Sequence, residues 1–245
     1  MNVLNPAREV RWDVMLKTPL VIVNFKTYSE ATGKRALELS KIIEEVATEN
    51  KISVAVAPQY ADIHRVATEA KIPVIAQHVD PVIPGRNTGW VTIESVKAAG
   101  AIGTLVNHSE HKLQISQIEE IIKLARRAEF VTIACAADVE ESTKVAKVGP
   151  DMILIEPPEL VGTGIPVSKA KPDVVRNSVK AIKHINAGIK VICGAGITTG
   201  EDVVKAIELG TEGVGVASGV ICAKDQRAAF EDIVSGIVGT KTQRR

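Results

Sequence analysis

Short runs of continuous apolar residues alternate along this chain with longer amphipathic stretches, and the alternation repeats eight times. Apolar runs without polar interruptions are typical of parallel strands that are buried on both faces. The predicted strands are Leu20–Val23, Val54–Ala57, Val74–Ala76, Thr104–Val106, Val131–Ala134, Met152–Ile155, Val191–Cys193 and Val214–Val216.

Helical patterns with start and stop signals fill the segments between the predicted strands. Eight strand–helix units predict an α/β fold, a single (β/α)8 barrel, with an open doubly wound sheet as the alternative. We expect the barrel over residues 19–238, an N-terminal extension over residues 1–18 and a frayed tail over residues 239–245. The predicted helices are Lys34–Thr48, Asp62–Ala70, Ile93–Ala99, Ser116–Ala128, Glu140–Lys147, Asp173–Asn186, Glu201–Glu208 and Gln226–Ile237.

Composition and charge exclude several classes of function. Thirty basic residues balance 29 acidic ones and aromatic residues make up 3% of the chain, so neither a basic face nor a stacking platform for nucleic acid is expected. No apolar run approaches the roughly 18–20 residues of a membrane span. Cys135, Cys193 and Cys222 are widely spaced, which argues against a disulfide framework or a structural zinc site. These features predict a cytoplasmic protein that binds neither nucleic acid nor membrane.

In a parallel barrel the active site lies at the carboxyl ends of the strands, so the residues that follow each predicted strand are candidates. The first strand is followed by Asn24, Phe25 and Lys26. Because strand side chains alternate, Asn24 and Lys26 can face one side and Phe25 the other. An inward lysine is costly unless an anion or an acid meets it. The alternative is an ordinary surface lysine.

The fourth strand is followed by Asn107, His108, Ser109 and Glu110. A histidine at the start of a helix or turn can stay neutral and donate a hydrogen bond. The alternative for His108 is a structural histidine. A metal pair of His108 with His111 is disfavoured because no further ligand has matching spacing, so no metal site is expected.

The sixth strand is followed by Glu156 and then by a loop, residues 157–164, that begins with two prolines and ends with Gly-Thr-Gly. A carboxylate at the tip of a buried strand is a candidate general base. A loop that is stiff at one end and loose at the other has the composition of a lid. The alternative is an ordinary capping loop.

Small residues follow the seventh and eighth strands, as Gly194-Ala195-Gly196 and Ala217-Ser218-Gly219. Small side chains allow backbone N–H groups to approach an oxyanion, and barrel enzymes commonly bind phosphate at this position. Each motif alone is weak, but two in consecutive strand-end positions favour a phosphate site.

Together these motifs, in this order and spacing, resemble the triosephosphate isomerase family in its shorter, archaeal form, from about Pro19 to Val238. The resemblance implies a TIM barrel. It also implies a glycolytic and gluconeogenic isomerase that interconverts dihydroxyacetone phosphate and D-glyceraldehyde 3-phosphate by proton transfer through an enediolate. No cofactor is implied, because the substrate's own carbonyl stabilises the carbanion. The family further implies self-association, as a homotetramer in preference to a dimer.

The resemblance also assigns roles. Glu156 is implied as the base, His108 as the neutral electrophile, Lys26 as the electrostatic group with Asn24 beside it, and Glu110 as a supporting carboxylate. The implied substrate- and phosphate-binding residues are Asn24, Phe25, Lys26, Val161, Gly162, Gly196, Ala217 and Ser218. The implied lid is Pro157, Pro158, Glu159, Leu160, Val161, Gly162, Thr163 and Gly164.

Three residues, in two places, depart from the family pattern. His111 and Lys112 stand where members often have two basic residues, and Gly196 stands where longer relatives carry a serine. Two other functions stay open on sequence alone. One is another phosphate-binding barrel enzyme, such as an aldolase or a biosynthetic isomerase, although Glu156 stands where Schiff-base aldolases often have a lysine. The other is a non-catalytic sugar-phosphate binder.

Overall fold

A computed structural model describes residues 16–243 of the chain, with the side chains of residues 16–240. Within this range eight parallel strands form one sheet in the order β2-β1-β8-β7-β6-β5-β4-β3. The strands are β1 Leu20–Asn24, β2 Ser53–Ala57, β3 Ile75–Ala76, β4 Gly103–Val106, β5 Val131–Ala136, β6 Met152–Ile155, β7 Lys190–Cys193 and β8 Gly213–Val216.

The ring of strands closes between β2 and β3, where a single parallel bridge joins Val56 to Val74. The predicted parallel barrel is therefore confirmed, and the open doubly wound sheet is excluded. The α-helices that follow the strands are α1 Lys34–Asn50, α2 Tyr60–Glu69, α3 Ile93–Ala98, α4 Ile115–Arg127, α5 Val139–Val148, α6 Val167–Ala170, α7 Pro172–Ile185, α8 Gly200–Glu208, α9 Ser218–Ile221 and α10 Gln226–Gln243.

Side-chain caps fix where several of these helices begin. Thr92, Asp138 and Thr199 each accept a backbone N–H from the first turn of α3, α5 and α8, respectively. Such a cap stabilises a helix by about 1 kcal/mol. Gly149 ends α5 in the left-handed conformation, with φ of 75°, which glycine adopts without steric cost.

Strand alternation divides the apolar residues into two cores. Leu20 and Ile22 of β1 pack inside the barrel, whereas Val21 and Val23 pack outward against the helices. The inner core fills the lower barrel, and the carboxyl ends of the strands are where barrels of this kind carry their active sites.

The ends of the barrel differ from their predicted positions. Leu16, expected in the extension over residues 1–18, packs into the inner core with 1% of its surface exposed. Helix α10 runs to Gln243, so residues 239–243 of the predicted frayed tail continue a helix. Residues 1–15 and 244–245 lie outside the described residues. Among residues 16–243, no helix combines the length and apolar character that a membrane crossing requires.

Candidate active site

The carboxyl ends of β1, β4, β6, β7 and β8 surround a cleft with an empty volume of about 630 Å³, which includes open solvent. Ile22, Leu105 and Leu154 line it where the filled lower barrel ends. Polar groups and small residues line it higher up. The strand-end motifs of the sequence therefore converge on one cleft.

At the end of β1, Asn24 and Lys26 both line the cleft. Lys26 has a φ of 46°, in the left-handed region that residues other than glycine seldom adopt. Two side chains fix this backbone: Asn24 Oδ1 accepts the Lys26 N–H at 3.0 Å, and Gln77 Nε2 donates to the Lys26 carbonyl at 2.8 Å. Backbone strain held by its neighbours in this way is common where a side chain must be aimed.

Phe25 was expected among the substrate-binding residues, and the structure does not place it there. Its side chain is fully buried in the outer core between strands and helices. The reason is the alternation of β1, which turns Phe25 away from the cleft that Asn24 and Lys26 face.

The end of β4 makes a tight turn at Asn107, whose φ is 61°. Asparagine tolerates this conformation better than most residues. Its side chain donates to the Cys135 carbonyl and to Glu141, both at 2.9 Å, and accepts the Leu113 N–H at 2.9 Å. At about 1 kcal/mol each, these bonds offset a backbone cost on the order of 1–3 kcal/mol. The turn places His108 in the cleft.

His108 is held as a neutral imidazole. Its Nδ1 accepts the backbone N–H of Glu110 at 3.1 Å, which leaves the proton on Nε2. Burial, helped by the nearby charge of Lys26, lowers the pKa of His108 to about 4, although Glu110 acts in the other direction. An Nε2–H donor therefore faces the cleft at neutral pH.

Glu156, at the tip of β6, is 4% exposed. Its Oε1 accepts the Ser109 N–H at 2.7 Å, and its Oε2 lies 3.2 Å from His108 Nε2. Burial raises the pKa of Glu156 to about 7, against the opposing hydrogen bonds from the Ser109 backbone and the Cys135 thiol and the charge of Lys26. A carboxylate with a pKa near neutrality is suited to take up and release a proton.

Glu110 lies at the mouth of the cleft with 57% of its side chain exposed, and its Oε1 lies 2.7 Å from Lys26 Nζ. The Lys26 side chain is 12% exposed, so its charge is largely enclosed. Glu110 thus contacts the site through Lys26 and through the N–H that fixes His108.

The loop at residues 157–164 covers one side of the cleft, and Val161, Gly162 and Gly164 line it. The loop begins with a short 3-10 turn, Pro158–Leu160, and Leu160 packs into the outer core. Glu159 pairs with Lys171 just before α7. Gly162 and Gly164 have φ values of 75° and 72°, which is the reason for glycine at both positions.

Small residues of the loops after β7 and β8 form the remaining wall, with Gly196, Ala217 and Ser218 among them. The first N–H groups of α9 have no partner within the helix, so they can serve a ligand. Gly196 has a φ of 71°, and a Cβ there would overlap the Ile165 carbonyl. This contact explains why the position holds glycine in this chain.

A model of the family described as triosephosphate isomerase matches residues 19–237. Proteins named triosephosphate isomerase from three methanogens are similar to the chain. That of Methanothermus fervidus is 50% identical over 89% of this chain and 98% of its own length. Those of Methanothermobacter thermautotrophicus and Methanocaldococcus jannaschii are 49% and 46% identical, over 92% and 89% of this chain and 99% and 100% of their own lengths.

The chain belongs to the triosephosphate isomerase family. This membership confirms the resemblance read from the strand-end motifs and shows an isomerase rather than an aldolase. Two of the residues that depart from the triosephosphate isomerase pattern, His111 and Lys112, have neighbours that the structure identifies. Lys112 pairs with Glu141 beside the Asn107 turn, and the His111 ring stacks on His78 with ring centroids 4.0 Å apart. His108 and His111 therefore have different neighbours.

Sequence reasoning missed several residues that support this triosephosphate isomerase site. Gln77 holds the Lys26 carbonyl, the Cys135 thiol acts to lower the pKa of Glu156, and Thr198 lines the cleft beside the small residues. Gln77 follows the short strand β3 directly, so strand-end position alone was a usable signal for it. Cys135 lies inside a strand, where nothing in the pattern distinguishes it from a core residue.

Proposed function

We propose that this protein interconverts dihydroxyacetone phosphate and D-glyceraldehyde 3-phosphate by moving a proton between adjacent carbons. The observation that carries the proposal is the convergence of three groups in one cleft. The Glu156 carboxylate lies 3.2 Å from His108 Nε2, and Lys26 lines the same cleft. Family membership supports the same substrates.

Glu156 is proposed as the base. It removes a proton from the carbon next to the carbonyl and returns it to the neighbouring carbon once the enediolate has formed. A pKa of about 7 leaves the carboxylate basic enough to accept the proton and acidic enough to return it. Its hydrogen bond from Ser109 must loosen as it turns toward the carbon, which is a small rearrangement for a side chain at a strand tip.

His108 is proposed as the electrophile. Because Nδ1 is occupied by the Glu110 N–H, the Nε2–H points into the cleft as a donor. This donor would polarise the substrate carbonyl and then exchange protons with the two oxygens of the enediolate. The low pKa of His108 keeps the ring neutral, so it can donate without first losing a charge.

Lys26, with Asn24 beside it, is proposed to stabilise the negative charge that develops on the substrate oxygen. The Lys26 side chain is 12% exposed, and charge stabilisation is stronger in an enclosed site than in water. Its pairing with Glu110 at the mouth orients the ammonium. We propose Glu110 as a positioning group, since it contacts Lys26 and His108.

Backbone N–H groups at Val161, Gly162, Gly196, Ala217 and Ser218 are proposed to hold the substrate phosphate. Support comes from the small residues that line this part of the cleft and from the start of α9. We propose that residues 157–164 close over the bound substrate as a lid. Closure would exclude water and protect the enediolate.

The pH dependence of kcat/KM is expected to show an acid limb near the pKa of Glu156, about 7. Below that pH the carboxyl is protonated and cannot act as a base, so activity falls about tenfold per pH unit. His108, with a pKa of about 4, adds no limb in this range. The substrate phosphate titrates near pH 6, so its titration is followed by phosphorus NMR and divided out. A corrected profile that stays flat down to pH 5 would contradict the assignment.

A coupled assay tests the activity directly. Purified protein is given D-glyceraldehyde 3-phosphate, and formation of dihydroxyacetone phosphate is followed through a dehydrogenase. We expect saturable turnover. Saturable binding of the substrate without turnover would favour a sugar-phosphate binder and contradict the proposal.

We propose that the protein self-associates, as a homotetramer in preference to a dimer. Support comes from large apolar side chains that remain exposed on the described chain: Ile83 is 63% exposed, Trp90 53% and Ile115 43%. Association of copies would remove such side chains from water. Light scattering after size exclusion is expected to give four times the chain mass of 26.1 kDa. A monomer mass at micromolar protein would contradict this proposal.

We propose a cytoplasmic location. Support comes from the free thiols of Cys135, Cys193 and Cys222. A reducing compartment keeps such thiols free. Fractionation of the source cells, with activity in the soluble cytoplasmic fraction, is the expected result. Activity recovered only outside the cytoplasm would contradict it.

A further inference from the structure

An ion pair joins the helix that follows the lid to the first turn of α8, the helix that follows β7. Lys169 belongs to the short helix α6, which begins three residues after Gly164. Its Nζ lies 2.9 Å from Asp202 Oδ1. The Asp202 side chain is 4% exposed and that of Lys169 is 43% exposed, so the carboxylate is enclosed while the ammonium reaches it from the surface.

Asp202 also fixes the loop after β7. Its Oδ2 accepts the N–H groups of Thr198 and Thr199 at 3.1 and 3.0 Å, and the Thr198 hydroxyl at 3.3 Å. Thr198 lines the cleft and packs closely on Gly219. A Cβ added to Gly219 would lie 3.0 Å from the Thr198 methyl group. One carboxylate therefore holds the loop after β7 at the place where that loop meets the start of α9.

Two backbone contacts join the same partners. The Val167 N–H donates to the Ala195 carbonyl at 3.2 Å, and the Ile165 carbonyl lies directly over Gly196. The segment that leaves the lid thus rests on the loop that lines the cleft. Lys169, in α6, and Asp202, in the first turn of α8, add a side-chain link close to these backbone contacts.

Charge reinforces the link. Burial opposes ionisation of Asp202, yet the hydrogen bonds from Lys169 and from the backbone of Thr198 and Thr199 lower its pKa below the usual range. Without the Lys169 ammonium, the enclosed carboxylate would keep only neutral hydrogen-bond partners. The loop that it holds would then be less well ordered. Glu201 also lies 3.4 Å from Lys169 Nζ, but its side chain is 82% exposed and screened by water.

We propose that Lys169 and Asp202 are positioning residues that hold the C-terminal end of the lid in register with the phosphate-binding loop. Neither side chain lines the cleft. Their effect is to keep the backbone N–H groups of the two segments in one geometry for the substrate phosphate. This inference rests on the proposed function, because it assumes that a phosphate is held there.

The test compares Lys169→Met with Lys169→Arg, which keeps the charge, and with Asp202→Asn, which keeps an acceptor for the Thr198 and Thr199 N–H groups. Lys205→Met is the matched control, since it breaks the surface pair with Glu208 on the same helix α8. Measured quantities are kcat and KM for glyceraldehyde 3-phosphate, the Kd of 2-phosphoglycolate by calorimetry, and the melting temperature.

We expect Lys169→Met to raise KM and the 2-phosphoglycolate Kd about tenfold each, with kcat within about twofold of the parent. The pair is proposed to act on capture of the substrate phosphate and not on the reacting groups, so its loss is expected to appear in KM. Lys169→Arg is expected to restore most of the affinity. Asp202→Asn is expected to behave like Lys169→Met, and the double variant to be no worse than either single one. Lys205→Met is expected to match the parent.

Parent-like KM and Kd in Lys169→Met would overturn the inference, and so would a loss that appears equally in Lys205→Met. A lower melting temperature with unchanged Kd would also overturn it, because that result describes a purely structural pair. The two proposals fail differently. A parent protein that binds 2-phosphoglycolate without turnover contradicts the isomerase assignment alone, whereas one that binds no 2-phosphoglycolate contradicts both.

Discussion

Glu156→Gln is expected to lower kcat by about 10³-fold, the largest effect of any single change in this chain, because it removes the proposed base. Glutamine keeps the shape of the side chain and an oxygen that can accept the Ser109 N–H. The fold around the strand tip is therefore expected to survive while proton abstraction is lost, although the glutamine amide then faces the His108 Nε2–H as a second donor. The coupled assay under saturating substrate measures the effect.

The same substitution is expected to stabilise the fold at pH 8. The pKa of Glu156 is about 7 in the folded protein, against an ordinary value of 4.5 for a glutamate in water. The folded state therefore binds the proton more tightly than the unfolded state does. Stability is thus lost as the pH rises through this window, and a neutral side chain avoids the loss. A higher melting temperature with collapsed turnover separates chemistry from folding. Turnover within about tenfold of the parent would contradict the assignment of the base.

Glu119→Gln is the matched control for this substitution. Glu119 is half-exposed on α4, where it pairs with Lys123 four residues on. Neither residue lies near the cleft, so we expect parental kcat and KM. A loss of activity in this control would show that the effect of Glu156→Gln is not specific to the site.

Lys26→Met is expected to lower kcat/KM by about 10²–10³-fold, the range found when one donor to a developing oxyanion is removed. Methionine keeps most of the stem, and the left-handed backbone stays held by Asn24 and Gln77. Glu110, which loses its partner, is 57% exposed and can be solvated. The fold is therefore expected to survive.

Lys26→Met also carries a pH signature. The Lys26 charge lowers the pKa of Glu156 and of His108, so its loss raises both. The acid limb of kcat/KM is expected to move to higher pH. Lys123→Met, on the surface of α4, is the control for loss of one positive charge, and its limb is expected to stay in place. Parental kcat/KM in Lys26→Met would remove lysine from the proposed mechanism.

The barrel and most of the site could be predicted because the relevant signals are local. A buried apolar run followed by Glu156, or by Asn24 and Lys26, specifies both a strand and what stands at its tip. Strand alternation then decides which side chains face inward, and it is also why Phe25 does not contact the cleft. The barrel was predicted to begin at residue 19, but Leu16 already belongs to its inner core. Polar residues separate Leu16 from the apolar run of β1, so the sequence pattern does not include it.

What the sequence did not reveal depends on contacts between distant segments. Gln77 contacts Lys26 across 51 positions, and Asp202 meets Lys169 from another strand–helix unit. Such pairs leave no periodicity in the chain. The last helix was likewise predicted to end at Ile237, with a frayed tail from residue 239, yet α10 continues to Gln243.

Isomerisation in heavy water tests the central claim most directly. Glyceraldehyde 3-phosphate is converted in D₂O, and the product is examined by proton NMR. If Glu156 carries the proton between carbons and exchanges it with solvent, dihydroxyacetone phosphate forms with a single deuterium at C1, and the Glu156→Gln variant forms almost none. Product without any deuterium, or labelled product at the parental rate from Glu156→Gln, would contradict the account.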